Sequence, residues 1–152
     1  STPKPSSAAS DVYKRQVVAL AILMPIVASM GGIAGMQSLA LVIRSQALDQ
    51  IGSSNSRLLI IKEASIGVLN GILWSSVVAL AVYLWFNSIF LGIVIASALM
   101  INLIIGAISG VSLPLILSKL KIDPALAGGV ILTTITDIVG FISLLGIATL
   151  IM

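Results

Sequence analysis

Four long apolar stretches occupy most of the 152-residue sequence, and each is long enough to cross a lipid bilayer as a helix. They run over residues 17–43, 58–86, 89–117 and 125–152. About 20 apolar residues span the hydrocarbon core as an α-helix. Inside that core every backbone polar group must be satisfied within the protein, which leaves helices or a closed barrel. Because the aromatic content is only 5%, the sequence favours an all-α, polytopic bundle of four transmembrane helices over a barrel.

The composition excludes several classes of function. Charged residues make up 9% of the sequence, where a soluble domain has about 25%, and the mean hydropathy is +1.21. The sequence contains no Cys and no His, so it lacks a thiolate nucleophile, an imidazole base and the usual transition-metal ligands. The net charge of +3 indicates membrane topology and contact with anionic lipid, not nucleic-acid binding.

The first sixteen residues differ from the rest. Ser1 to Gln16 is rich in Ser, Pro and Lys and has no apolar period, so we expect it to be disordered. Its second half, Ser10-Asp-Val-Tyr-Lys-Arg-Gln16, resembles translated cloning sequence. We therefore expect residues 1–16 to be non-native and residues 17–152 to form the functional membrane domain.

Basic residues are distributed unevenly between the connections. Residues 44–62 carry three of them and residues 119–121 carry two, whereas the turn at Asn87-Ser88 carries none. Loops rich in Lys and Arg stay in the cytoplasm. The sequence thus predicts that the first and third connections are cytoplasmic and that both ends of the chain face outward.

The last apolar stretch contains one carboxylate, Asp137, within Leu132-Thr-Thr-Ile-Thr-Asp-Ile-Val-Gly140. An ionised Asp at the centre of a membrane helix costs about 2.5–3.5 kcal/mol on insertion scales, so it indicates a functional site by default. Spacings of three and four residues predict one shared face, made of Gly129, Thr133, Asp137, Gly140 and Leu144. Such a face is expected to meet other helices or an aqueous pore. The alternative is an Asp that only hydrogen-bonds within the bundle.

A second carboxylate, Asp123, precedes Pro124 at the start of the same stretch. This order is typical of a helix N-cap followed by proline at the first helical position. The 14 residues from Asp123 to Asp137 correspond to about 21 Å of helix. Asp123 is therefore either a cap alone or a cap that also lies at the cytoplasmic mouth of a cation path.

Glycines recur four residues apart in the first three stretches, at 31 and 35, 67 and 71, and 106 and 110. In lipid this spacing lets helix backbones approach closely, so it predicts tight packing. Gly31, Gly32 and Gly35 also lie close to Gln37 in the sequence. Their clustering leaves open a loosened backbone whose carbonyls face a water-filled path.

Three further polar residues are given structural roles. Asn70 and Asn102 are neutral amides, which two helices can satisfy between them at little cost, so we expect both to hold helices together. Glu63 follows Lys62 at a helix start, where a carboxylate suits the helix dipole. We expect Glu63 to be a solvated cap.

A single intramembrane carboxylate per chain limits how an ion is held. Hard divalent cations prefer oxygen ligands, and Mg²⁺ gives up its water reluctantly. One Asp per chain is too few to replace the water shell of a divalent ion. Copies of this Asp arranged around a symmetry axis can instead hold a hydrated ion through its waters. The sequence therefore predicts a homo-oligomer, most simply a homodimer, whose axis passes Asp137.

Several motifs together resemble the transmembrane domain of MgtE-type magnesium channels. They are Pro25-Ile-Val-Ala-Ser-Met-Gly-Gly-Ile-Ala-Gly-Met-Gln-Ser38, the pair Lys62-Glu63, and Ile122-Asp-Pro-Ala-Leu-Ala-Gly-Gly129 through Thr133-Thr-Ile-Thr-Asp-Ile-Val-Gly140. The resemblance covers about residues 17–152. It implies a domain of five membrane helices, of which this sequence would carry the last four, in a homodimer whose pore follows the two-fold axis. Relatives are expected to carry cytoplasmic magnesium-sensing N and CBS domains, which this sequence lacks.

The resemblance also implies roles for single residues. Asp137 corresponds to the pore aspartate that holds a hydrated Mg²⁺, with the backbone at Thr133 and Thr136 near the same ion. Asp123 corresponds to an acidic position at the cytoplasmic end where regulatory magnesium binds. The expected pore-lining or packing positions are Gly31, Gly32, Gly35, Gln37, Gly129 and Gly140.

One position departs from the family pattern. The Gly-Gly-Asn of many relatives is Gly31-Gly32-Ile33 here, which removes an amide usually placed near the pore and affects ion geometry and selectivity. We expect a magnesium channel pore domain in a bacterial cytoplasmic (inner) membrane, with lipid and a second copy as partners and without enzymatic activity. Two alternatives remain: an ion-coupled secondary carrier that uses Asp137 as a relay, and a structural membrane module without transport.

Overall fold

The computed structural model describes residues 5–48 and 56–151, which form four α-helices. The helices are α1 (Pro5–Ala47), α2 (Ser56–Phe86), α3 (Ile89–Lys119) and α4 (Pro124–Ile151). Each is long and apolar enough to cross a membrane, and the described residues contain no strand. The predicted all-α bundle of four membrane helices is confirmed.

Two tight turns reverse the chain between α2 and α3 and between α3 and α4. Asn87 and Lys121 carry these turns with φ values of 52° and 61°, a left-handed conformation that Asn adopts more readily than most residues. Ser88 then caps α3, because its hydroxyl accepts a hydrogen bond from the Leu91 amide at 3.3 Å. Consecutive helices are therefore antiparallel, and residues 14–22 of α1 lie beside the Asn87-Ser88 turn.

Helix α3 is the centre of the bundle, because it packs against each of the other three helices. Half (50%) of its most apolar stretch is buried, against 22–28% for the other helices. Its fully buried side chains include Val94, Ile95, Leu99 and Val111. The outer sides of α2 and α4 carry large exposed apolar side chains such as Leu84 and Leu126, as expected for surfaces that face lipid.

Glycines join α1 to α3 along a seam formed by Gly31, Gly35, Gly106 and Gly110. A Cβ added at Gly106 would lie 2.6 Å from the Gly31 carbonyl oxygen, and one added at Gly35 would lie 2.9 Å from the Gly106 carbonyl oxygen. Real Cβ atoms do not approach backbone oxygens this closely, so the two backbones touch only because no side chain stands between them. The predicted tight packing of these glycines is confirmed.

Helix α1 differs from the expectation in two respects. It begins at Pro5, so residues 5–16, which we expected to be disordered, continue the helix in the structure. Proline suits a first helical position, and no further Gly or Pro interrupts the chain before Pro25. The helix also continues through Pro25 and the glycines. The loosened backbone suggested for Gly31 and Gly35 is therefore wrong, because both are buried against α3 in a continuous helix.

The remaining helix limits lie within a few residues of the expected ones. The largest shift is the end of α1 at Ala47 instead of residue 43, and the last predicted residue, 152, lies outside the described part. Arg57 and Lys62 belong to the first two turns of α2 and not to a loop. The end of the bundle where α1 and α3 finish carries five of the eight basic residues, namely Arg44, Arg57, Lys62, Lys119 and Lys121, while Lys14 and Arg15 lie at the opposite end.

Candidate functional site

A long groove runs between α1 and α4 on the outside of the bundle. Its volume is about 660 Å³. Helix α4 contributes Thr133 and Asp137, and α1 contributes the opposite wall, which consists of Pro25, Ala28, Ser29, Gly32, Ile33, Met36, Gln37 and Ala40. We call this space the α1–α4 groove. Asp137 is its only charged group among the described lining residues.

The position of Asp137 follows from how α4 packs. Its buried residues form one stripe against the bundle, made of Gly128, Leu132, Thr136, Gly140, Ser143, Leu144 and Ala148. Thr133 and Asp137 each follow a member of this stripe by one residue, which turns them about 100° around the helix. Both side chains are consequently exposed at the rim of the groove.

The single face predicted for α4 is therefore divided. Gly140 and Leu144 belong to the buried stripe, while Thr133 and Asp137 line the groove. A Cβ added at Gly140 would lie 3.4 Å from Ala28 Cα, so this glycine permits close packing of α4 on α1. Gly140 and Leu144 therefore meet other helices, which is one of the two environments expected of this face, whereas Thr133 and Asp137 meet the groove.

The two threonines near Asp137 direct their hydroxyls into the helix itself. Thr133 Oγ1 donates to the Gly129 carbonyl at 2.7 Å, and Thr136 Oγ1 donates to the Thr133 carbonyl at 3.1 Å. Thr136 is fully buried behind the groove wall and does not line it. The Thr136 hydroxyl is therefore not open to the groove. It bonds instead to the backbone oxygen of Thr133, which is one of the backbone positions expected near the ion.

The other expected pore-lining residues fall into two groups. Gly32 and Gln37 line the groove, and Gly129 faces the same side, since a Cβ there would lie 3.6 Å from the Met36 methyl carbon. Gly31 and Gly35 are buried in the seam with α3 and only pack.

Asp123 caps α4, as predicted. Its carboxylate oxygen Oδ1 accepts a hydrogen bond from the Ala125 amide at 3.0 Å, and its backbone carbonyl accepts from Leu126 and Ala127. Asp123 is exposed at the helix start and does not line the α1–α4 groove. Its expected second role toward magnesium remains a prediction.

Asn102 has the structural role expected of it. It is fully buried in α3, and its Nδ2 donates to the Val27 carbonyl of α1 at 2.7 Å. Its Oδ1 has no hydrogen-bond partner among the described residues. The Asn102 side chain lies against Gly31 and Gly140, so the absence of side chains there makes room for its amide between α1 and α4.

Glu63 contradicts the expectation of a solvated cap. It is 4% exposed and accepts a hydrogen bond at Oε2 from Ser38 Oγ at 2.9 Å, which links α2 to α1. It lies in the second turn of α2 and not at the helix start. It lines a second cavity of about 200 Å³, together with residues of α1, α2 and α3, including Gln37, Ser38, Asn70, Leu103 and Ala107. We call this space the α1–α2 crevice.

The sequence contained a signal for the burial of Glu63. Gly67 and Gly71 indicate the face of α2 that packs in the bundle, and Glu63 precedes Gly67 by four residues while Asn70 follows it by three. Residues at these spacings share a helix face. The environment of Glu63 is indicated by Gly67, which lies one helical turn later on the same face, and not by Lys62 beside it.

The groove offers few protein ligands to a metal ion. Within the described residues there is no group of three or more His, Cys, Asp or Glu side chains that could hold a metal. One carboxylate with nearby amide and hydroxyl oxygens is too few for a dehydrated divalent ion, but it can accept hydrogen bonds from the waters of a hydrated one. The groove therefore resembles one wall of an ion-binding site and is open in the direction that faces away from the chain.

Known proteins resemble this chain over most of its length. The family model MgtE, described as a divalent cation transporter, matches residues 24–147. The magnesium transporter MgtE of Bacillus subtilis is 42% identical over 135 residues, which are 89% of this chain and 30% of that protein. The magnesium transporters MgtE of Thermus thermophilus and Enterococcus faecalis are 31% and 30% identical, over 90% and 88% of this chain. The chain spans about 30% of the length of these curated relatives.

Proposed function

The chain belongs to the MgtE family of divalent cation transporters, and from this premise we propose that it forms the pore part of a magnesium channel. Together with its four apolar helices, this membership makes the chain an integral, multi-pass membrane protein. The relatives are named as magnesium transporters. We propose that this chain likewise moves Mg²⁺ and catalyses no reaction, and that it resides in a bacterial cytoplasmic membrane.

The observation that carries the proposal is the exposure of Asp137 in the α1–α4 groove. The carboxylate lies on the outside of the bundle, midway along α4, where a single chain in a membrane would present it to lipid. A charged group is costly there unless water, a counter-ion or protein covers it. A second copy of the chain, placed groove to groove, would cover both carboxylates and enclose a polar path between them.

Such a pair would present two carboxylates to an ion on the two-fold axis. Mg²⁺ retains its water shell readily, and Asp137 would accept hydrogen bonds from that shell instead of replacing it. Thr133 and the backbone near Thr136 would supply further oxygens at the same level. Gly32 and Gly129 keep the walls free of bulky side chains, which leaves room for the hydrated ion.

Topology and regulation complete the proposal. The basic end of the bundle would face the cytoplasm, which puts Asp123 at the inner mouth of the pore. Regulatory magnesium at Asp123 and control by cytoplasmic sensing domains of a full-length protein are part of this proposal.

The variant Asp137→Asn tests the role of the charge. Removing it while keeping the shape and hydrogen-bonding capacity should reduce Mg²⁺ uptake into liposomes by at least about 100-fold, because a cation filter depends on its charge. Asp11→Asn, which changes an exposed carboxylate outside the apolar stretch, is the matched control and should transport normally. Undiminished uptake by Asp137→Asn would show that the side chain only hydrogen-bonds between helices, and it would contradict the proposed pore.

The same preparation separates a channel from an ion-coupled carrier. A channel carries a current that follows the electrochemical potential of Mg²⁺ alone. A carrier that uses Asp137 as a relay would instead show saturable uptake that stops when the proton or sodium gradient is removed.

Single cysteines test the arrangement of two copies. The native sequence contains no cysteine, so each variant has one thiol. Ile33→Cys places it in the groove, at a residue 60% exposed, and should cross-link two copies across the axis. Leu69→Cys, at a residue 68% exposed on α2 and outside the groove, should not. Equal cross-linking of both variants would contradict a groove-to-groove dimer.

A further inference from the structure

The α1–α2 crevice holds a carboxylate that the proposed pore does not use. Helices α1 and α2 both pack on α3, and the space between them is floored by Leu103 and Ala107 of α3. Glu63 lines this space and is 4% exposed. No described residue of α4 lines the crevice, so Glu63 and Asp137 line different cavities, which share Gln37 of α1.

Few of the described residues can neutralise the charge of Glu63. Its described contact is one hydrogen bond, donated by Ser38 Oγ to Oε2. Among the described residues that line the crevice, Glu63 alone carries a charge. Its basic neighbour Lys62 is exposed on the surface of α2. A buried carboxylate without an opposite charge is strongly disfavoured in an apolar medium, so it must acquire either a proton or a cation.

The groups around Glu63 suit a cation. Gln37 and Asn70, which carry side-chain amides, line the crevice, and so does Ser38, which carries a hydroxyl. Oxygen-only ligand sets of this kind match hard cations and not the softer transition metals. The volume of about 200 Å³ has room for an ion with several waters, since each water occupies about 30 Å³ of liquid.

We propose that the α1–α2 crevice is a second cation site, in which the Glu63 carboxylate and the oxygens of Ser38, Gln37 and Asn70 hold a hard cation. The single carboxylate balances a monovalent ion such as Na⁺ completely. A hydrated Mg²⁺, the ion that the proposed pore would carry, also prefers oxygen ligands, and the experiment distinguishes it from Na⁺.

The crevice also has a route to the outside. Gln37 is exposed and lines both the α1–α4 groove and the crevice, and an adjoining cavity of about 270 Å³ includes Gln37 and Asn70. An ion would enter the crevice past this amide. The site does not depend on the pore proposal, because it shares no carboxylate with the groove.

The sequence provides a direct probe, since Glu63 is its only glutamate. Incorporation of glutamate labelled with ¹³C at the side-chain carboxyl gives one infrared signal in the full chain, reconstituted in lipid nanodiscs. We expect an ionised carboxylate band that shifts on addition of Na⁺ or Mg²⁺ and saturates. A shift with Na⁺ in a Mg²⁺-free buffer assigns the site to a monovalent ion, and a shift with Mg²⁺ alone assigns it to the hydrated divalent ion.

Two variants locate the response. In Asp137→Asn the Glu63 shift should persist at the same cation concentration, because the groove site is removed while the crevice is intact. In Asn70→Leu the cation concentration at half-maximal shift should rise by about tenfold or more, since an oxygen ligand is lost.

Two results would overturn the second site. A band of protonated carboxyl that neither cation changes would make Glu63 a neutral hydrogen-bonding residue. Loss of the shift in Asp137→Asn would mean that Glu63 only reports an ion in the groove. Either result is independent of Mg²⁺ flux, so failure of this site is distinguishable from failure of the pore.

Discussion

Helix α1 borders two polar spaces, the α1–α4 groove and the α1–α2 crevice, and the carboxylates in these two spaces differ in exposure and in hydrogen bonding. Asp137 stands exposed at the rim of the groove, with threonine hydroxyls that bond back into their own helix. Glu63 is buried in the crevice and bound by a hydroxyl of the neighbouring helix. The Asp137 carboxylate is open to the surroundings of the chain, whereas the Glu63 carboxylate is enclosed by the chain itself.

This difference separates two uses of charge in a membrane. A carboxylate at an open rim can bind a passing ion and release it easily, which suits ion conduction. A buried group holds whatever compensates its charge and exchanges it slowly, which suits a resident ion. The seam of glycines between α1 and α3 fixes the distance between the two spaces, because it sets the position of their shared wall.

The largest effect is expected from Gly106→Ala in this seam. The added methyl group would lie 2.6 Å from the Gly31 carbonyl oxygen, so α1 must move away from α3 at a cost of about 1–3 kcal/mol in the free energy of unfolding. Denaturant unfolding in detergent micelles measures this cost. Both the uptake of Mg²⁺ and the Glu63 infrared band should change, since both spaces share α1.

Gly146→Ala is the control for this variant. A Cβ at Gly146 meets nothing within 4 Å, and alanine is favoured over glycine inside a helix by about 1 kcal/mol. The control should be as stable as the native chain or more so. Equal destabilisation of the two variants would show that the seam does not set the packing of α1.

An intermediate effect is expected from Asp123→Ala, which should affect the groove alone. Loss of the cap on the Ala125 amide frays the start of α4 and costs about 1 kcal/mol in the free energy of unfolding. Helix α4 forms a wall of the groove and no part of the crevice, so the Glu63 band should stay unchanged. A shifted band would show that the two spaces are not separate.

The smallest effect is expected from Ile33→Asn. Ile33 is 60% exposed and lines the groove, so an amide there adds a polar group without displacing a buried side chain. The affinity of the groove for Mg²⁺ should rise about threefold, close to the value of one hydrogen bond. Isothermal titration of the chain in nanodiscs, with Asp137→Asn as the background without the site, measures this change. Weaker binding would show that Ile33 does not face the ion.

The sequence was sufficient for the helices because length and apolarity alone decide them in a bilayer. The stretches that became α2, α3 and α4 were found within two residues at each end, and Asp123 was recognised as a cap from Pro124 after it. The glycine pairs predicted close packing. Which helices they join was not predictable, because spacing gives a face of a helix but not the helix that meets it.

The environments of single polar residues were harder to predict. Thr133 and Asp137 were correctly expected on one face, but Gly140 was assigned to the same face and lies in the buried stripe. Glu63 is expected to be a solvated cap at a helix start, but α2 begins at Ser56, so Glu63 lies in the second turn, where its side chain is buried and that of Lys62 is exposed. A helix turns by about 100° per residue, so adjacency in sequence says little about a shared environment.

The central position of α3 has a consequence for how the chain is made. Synthesis proceeds from the N-terminus, so α1 and α2 reach the bilayer before the helix on which both of them pack. Before α3 has been inserted, the faces of Gly31 and Gly67 that contact α3 lack this packing partner, whereas the hydrogen bond from Ser38 Oγ to Glu63 joins α1 and α2 without it. Helix α3 therefore completes the packing of α1 and α2, and the α1–α4 groove forms only after α4 has been inserted.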